Sequence, residues 1–244
     1  MPPRGQVGNR RAALPPAPRS SRTRARPQRI ATAWRARCMS VDELLRRLDT
    51  TYPDPVCALQ HRNAYELTVA VILSAQCTDK MVNQVTPELF AAYPTVHDLA
   101  DAGIPDVERI IFRTGFYRNK AKHLVGMGQR VRDEYGGEIP DDFDDLVSLP
   151  GVARKTANVV LGEWYKRPNG VVVDTHVGRI STLLGLSAAK GPDKIAAELE
   201  AALPRDHWIR FPLQLIEHGR QVCVARRPNC GACVLADICP GALG

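Results

Sequence analysis

The stretch LPGVARKTANVVL, Leu149–Leu161, decides the fold. Pro150 and Gly151 make a tight turn, and good helix formers follow at once. A turn that feeds a helix leaves the first backbone N–H groups without intrahelical partners. Together with the positive end of the helix dipole they suit a phosphate. The upstream segment DDFDDLVSL, Asp141–Leu149, supplies a preceding helix. The pair then reads as a helix–hairpin–helix, which grips nucleic-acid backbone without reading sequence; an ordinary helix connection is the plainer alternative. Lys155 falls in the first helical turn, where the dipole disfavours a cation. An amine placed there, beside the anion site, reads as a candidate nucleophile. A solvated or phosphate-contacting lysine is the competing reading.

Outward from this hairpin the chain reads as helices. Patterns fall near 78–92, 95–102, 105–112, 118–135, 142–148, 153–165, 175–184, 191–203 and 206–220, with Gly and Pro between them. Ser40 with Glu43, and Asn63 with Glu66, have capping-box spacing ahead of two further helices. VVVD, Val171–Asp174, is the sole strand candidate and is too short to found a sheet, so it is read as an extended linker. The class is all-α.

The formal net charge is +7, which suggests an anionic partner. Ten arginines and no acidic residue lie in 1–39, leaving 23 basic against 26 acidic side chains in the rest. The excess is therefore in a Pro/Arg/Ser-rich segment that cannot build a core and is expected to be a disordered basic tail. It reads as a solvated extension or a non-specific nucleic-acid arm; six prolines count against the amphipathic helix of a transit peptide. The body must group its basic residues on one face if it binds nucleic acid. No apolar run is long enough to span a membrane, and the reading is a soluble intracellular protein. Arginine outnumbers lysine 26 to 7, which points to a GC-rich genome and a bacterial cytoplasm; in a eukaryote the location would be nuclear or mitochondrial.

Four of the seven cysteines fall within seventeen residues: Cys223, Cys230, Cys233 and Cys239. The spacing is C-x6-C-x2-C-x5-C with no histidine between them. Zinc sites usually pair two short knuckles, and this run has one, so a loop wrapping a [4Fe-4S] cluster fits better than zinc. Arg226 and Arg227 lie in the first interval, where a loop pinned by metal at both ends would present them to phosphates.

Nineteen residues beyond Lys155, Asp174 sits between VVVD and the next helix. It reads either as that helix's N-cap or as a carboxylate beside Lys155 that stabilises a cationic transition state. Lys155 in LPGVARKTANVVL, Asp174 in VVVDTHVGRI, the segment ILSAQCTDKMVN and the cysteine spacing together resemble the endonuclease III family of DNA glycosylases with abasic-site lyase activity. The resemblance runs from about residue 41 to 240 and excludes the tail.

The resemblance implies a helix–hairpin–helix DNA glycosylase fold. A six-helix barrel over 57–168 would face an iron–sulfur cluster domain made of 40–56 and 169–244, with the DNA cleft between them. It implies a substrate of double-stranded DNA containing damaged pyrimidines or abasic sites, bound by a monomer with the damaged base flipped out. Gln76 and Phe116 match the positions that fill the gap left by the base; many members have leucine at the latter, and core packing is the alternative for Phe116. Ala153 stands where the family usually has glycine, so Gly151 alone is expected to need positive φ, with Ala153 already helical and its N–H facing a phosphate. Two rivals remain. An adenine-mismatch glycosylase shares the barrel and cluster but lacks the lysine, and a non-catalytic iron–sulfur DNA-binding protein would need neither Lys155 nor Asp174.

Overall fold

The computed structural model describes residues 40–243; the basic segment 1–39 lies outside the described residues. Among these the chain forms α-helices and short 3-10 turns, with no strand. The helices are α1 (Val41–Thr51), α2 (Ala64–Ser74), α3 (Asp79–Ala92), α4 (Val96–Ala100), α5 (Ile104–Ile111), α6 (Tyr117–Glu134), α7 (Phe143–Ser148), α8 (Arg154–Glu163), α9 (Thr175–Leu183), α10 (Pro192–Ala202), α11 (Arg210–Gln221) and α12 (Pro240–Leu243). None is long and apolar enough to cross a membrane.

Two separate cores organise them. The first runs from Leu59 to Leu161 and is built round α2, whose nine consecutive residues Tyr65–Leu73 are all buried. A helix apolar on every side belongs at the centre of a bundle. α6 packs closely on α4: a Cβ on Gly128 would lie 3.0 Å from the Ala100 backbone nitrogen. The second core joins Leu44, Leu45 and Leu48 of α1 to Val177, Ile180, Leu199, Phe211, Leu215 and Leu235. The chain therefore starts in the second core, builds the whole of the first, and returns. Arg47 of α1 reaches the C-terminal loop, pairing with Asp237 at 2.5 Å and donating to the Val234 carbonyl at 2.8 Å.

Several local expectations are corrected. Ser40 makes no side-chain cap; the Glu43 carboxylate is taken instead by Arg46 at 2.8 Å and Arg47 at 2.7 Å. Asn63 does cap α2, accepting from Glu66 N–H at 2.8 Å, but the Glu66 carboxylate accepts from the Arg62 N–H rather than returning to Asn63. The helix expected from residue 206 begins at Arg210, after a separate 3-10 turn at Arg205–His207. Val171–Asp174 lies in neither helix nor strand, and its first N–H is satisfied by Glu200 Oε1 at 2.9 Å rather than by a neighbouring strand.

Candidate functional site

The turn between α7 and α8 is held from two sides. Gly151 has φ +80°, and a Cβ there would lie 2.8 Å from His123 Cβ on α6, so conformation and space both require glycine. The Arg154 guanidinium lies 4.9 Å from the Phe143 ring centroid, joining the first residues of the two helices. Ala153 is the N-cap of α8, with φ −85° and ψ 167°; it is extended, not helical as expected, because a cap residue lies outside the helical turn. Its methyl group cannot cap, and among the described residues no other side chain accepts from the first turn of α8. The N–H groups there remain available to an anion. Lys155, second residue of α8, is exposed beside them.

Asp174 is the N-cap of α9, and its Oδ1 accepts from Val177 N–H at 2.8 Å. Its other oxygen, Oδ2, makes no hydrogen bond among the described residues. Lys155 belongs to the last helix of the first core, and Asp174 caps the first helix after the chain returns to the second; both line one open cleft. α2, α8, the 168–174 segment and α11 form its walls, and Val159, Ile216 and Leu213 supply apolar surface. At its rim Arg220 of α11 pairs with Asp79 of α3 at 2.6 Å, fastening the two cores to each other.

Gln76 and Phe116 share two features. Both are exposed, Phe116 by 63%, which removes the core-packing alternative for it. Both have left-handed backbone, φ +52° and +48°. For a non-glycine residue that costs about 1–2 kcal/mol, and exposed side chains held this way return nothing to packing.

Cys223, Cys230, Cys233 and Cys239 line one cavity with Ile180, Leu183 and His218. Among the described residues no three His, Cys, Asp or Glu side chains converge closely enough for a single metal ion. Four thiols round one cavity are a ligand set for a multi-iron cluster. Burial pushes the Cys233 and Cys239 thiols up, so thiolates there need compensating positive charge and donors. The donors are in place. Leu235 N–H lies 3.4 Å from Cys233 Sγ, and Arg179 Nη1 lies 3.4 Å from Cys223 Sγ. His218 Nε2 is 3.5 Å from Cys233 Sγ while Tyr52 hydrogen-bonds its Nδ1 at 2.9 Å. Arg226 and Arg227 are exposed on the loop between the first two cysteines and make no ion pair among the described residues.

Known proteins match this arrangement along nearly all the described chain. Residues 69–205 match the profile of the HhH-GPD superfamily base excision DNA repair proteins, and 223–239 match the iron-sulfur binding domain of endonuclease III. Endonuclease III of Synechocystis is 47% identical over 200 residues, spanning 82% of this chain and 91% of the relative. The Escherichia coli enzyme is 35% identical over 197 residues, 81% of this chain and 93% of its own. The chain belongs to the endonuclease III family. A solved trapped endonuclease III–DNA covalent intermediate superposes with a TM-score of 0.77 at 38% identity, over 84% of this chain and 98% of that one. A thermostable thymine-DNA glycosylase, 20% identical with a TM-score of 0.73 over 83% of this chain and 96% of its own, shares the fold.

The protein is thus an all-α helix–hairpin–helix DNA glycosylase with abasic-site lyase activity, acting on DNA in base excision repair and carrying a [4Fe-4S] cluster. Three side chains of this endonuclease III fold escaped the sequence reading: Arg179 on Cys223, Arg220 on Asp79, and Lys120. Only Lys120 carried a local signal, since it lies three residues after Tyr117 and four before Leu124, on the apolar face of α6.

Proposed function

We propose that the chain removes oxidised pyrimidines and cleaves abasic sites through a Schiff base on Lys155. The observation that carries this is the shared cleft: an exposed lysine beside unpaired helix N–H groups, and a carboxylate with one oxygen uncommitted, presented from opposite cores. The two cores are the two domains, 57–168 and 40–56 with 169–244, and DNA lies across the cleft between them. The hairpin amides, including those of Gly151 and Ala153, hold a phosphate, and Arg226 and Arg227 hold others. Gln76 and Phe116 fill the space vacated by the flipped base.

In this reading Lys155 Nζ attacks C1′ of the damaged nucleotide. The C1′–N bond to the base breaks as C1′–Nζ forms, and the base leaves with a proton. Asp174 stabilises the cationic charge that develops on the sugar. Opening of the sugar ring gives the iminium, which acidifies the 2′ hydrogen. Loss of that proton breaks the C3′–O bond and cuts the strand on the 3′ side. A single chain binds each lesion, and the bacterial relatives favour a bacterial cytoplasm as its location.

A panel of duplexes tests the reading. Thymine glycol and abasic-site duplexes should both be cut, whereas adenine in a mismatch should not be released. Release of adenine without strand cleavage would establish the adenine-mismatch reading instead.

The cysteines would hold the cluster, which supplies a structural clamp on the loop carrying Arg226 and Arg227. Anaerobically purified protein should contain about four irons and four sulfides per chain. Cys230→Ala should lose the iron and its visible absorption and give poorly soluble protein, because this loop folds with its metal. One zinc and no sulfide in the unmodified protein would refute the assignment.

A further inference from the structure

Lys120 is a buried lysine, 5% exposed, and it makes no ion pair with a carboxylate among the described residues. Its ammonium donates to two backbone carbonyls, Leu73 O and Thr114 O, each at 2.8 Å. The first belongs to the C-terminal turn of α2, where unpaired carbonyls and the negative end of the helix dipole favour a cation. The neighbouring carbonyls of that turn have other partners: Val71 O takes Ser74 Oγ, Ile72 O takes Ala75 N–H and Ser74 O takes Cys77 N–H. Lys120 therefore completes the end of α2 and at the same time reaches the 3-10 turn Phe112–Thr114 that precedes α6. Burial pushes its pKa down, so the charge is retained there against a desolvation cost.

What lies just beyond each carbonyl gives the contact its meaning. Three residues after Leu73 comes Gln76, and two residues after Thr114 comes Phe116. These are two of the three non-glycine residues with positive φ among the described residues, and both side chains are exposed. One ammonium thus ties together the roots of the two left-handed loops, and among the described residues no other side-chain hydrogen bond joins them. A packing role alone would be met by an apolar side chain of the same length.

We propose that Lys120 is a positioning residue that sets the spacing and direction of Gln76 and Phe116, so that both enter the duplex together. The proposal rests on the reading of Gln76 and Phe116 as gap-filling residues. It assigns Lys120 no contact with the substrate. Its effect is on duplex opening and leaves the chemistry at C1′ to Lys155 and Asp174.

The test compares single-turnover base release from thymine glycol in a paired duplex and in an unpaired bubble, where no gap needs filling. Lys120→Met should fall by about 10²-fold on the duplex, the scale of a misplacement of about an ångström, and stay near the parent rate on the bubble. In a background carrying both Gln76→Ala and Phe116→Ala it should cost little more, because it acts through those two side chains. Lys120→Arg, which keeps charge and donors, should recover part of the duplex rate. Should Lys120→Met fail to fold by circular dichroism, the duplex-to-bubble ratio of Lys120→Arg and its coupling to the Gln76→Ala and Phe116→Ala pair decide instead. Equal losses on duplex and bubble, or losses additive with the Gln76→Ala and Phe116→Ala pair, would show a merely structural lysine and overturn the proposal. A duplex-specific defect in Phe116→Ala and Gln76→Ala with none at Lys120 rejects Lys120 alone. No duplex-specific defect at Gln76 or Phe116 rejects the gap-filling reading, and the proposal with it.

Discussion

Lys155→Gln protein mixed with a thymine glycol duplex and borohydride should give no covalent protein–DNA adduct and no strand cleavage. Borohydride reduces a Schiff base to a stable amine, so trapping reports the bond between Nζ and C1′ directly. Glutamine has a helix propensity close to that of lysine, and Lys155 is exposed at the second position of α8, so the fold should be kept. Removing a cation from a helix N-terminus is itself favourable by about 0.3–1 kcal/mol. The melting temperature should therefore be unchanged or slightly raised. DNA affinity should be mostly retained, because the hairpin's backbone amides and Gly151 are untouched. Loss of trapping with normal stability and binding isolates the chemistry. An adduct formed at the parent rate would place the nucleophile elsewhere and leave Lys155 as a phosphate contact.

The sequence exposed those features whose physics is local. The helices announce themselves through apolar periodicity, and the cysteine run and the Pro-Gly turn carry their meaning within a few residues. Gly151 was legible because only glycine takes φ +80° without strain. Local rules failed where a competing partner was present. Ser40 and Glu43 have capping spacing, yet two arginines one turn further on, Arg46 and Arg47, claim the carboxylate. Ala153 reads as helical because helix ends are ambiguous by a residue from pattern alone. The ties between distant segments were illegible for a different reason. Arg179 meets Cys223 across 44 residues, Lys120 meets Leu73 across 47, and Arg220 meets Asp79 across 141. No periodicity within one segment encodes such pairings. The conformation of Phe116 was hidden too: an aromatic residue after a glycine reads equally as core or loop until its exposure is known.

Asp174→Asn should slow base release by about 10²–10³, the usual cost of removing one preorganised group that stabilises charge in the transition state. The cap geometry makes asparagine the informative substitution. Asp174 Oδ1 accepts from Val177 N–H, and an asparagine carbonyl oxygen can accept in the same place. The helix start, and with it the direction of the side chain into the cleft, should survive, while the negative charge on the oxygen free of the cap is lost. Asp174→Ala removes both, so it should be slow and also less stable by about 1 kcal/mol. The pair of variants separates two roles that one residue performs. If asparagine restores stability but not rate, the carboxylate acts on the substrate; if asparagine restores the rate as well, Asp174 serves only as the cap of α9. Abasic-site duplexes sharpen the distinction, since they have already lost the base. Strand cleavage there by Asp174→Asn should be reduced less than base release from thymine glycol, because the glycosidic step that develops the cationic sugar has been bypassed. Equal losses on both substrates would move the role of Asp174 from base release to the proton transfers that follow.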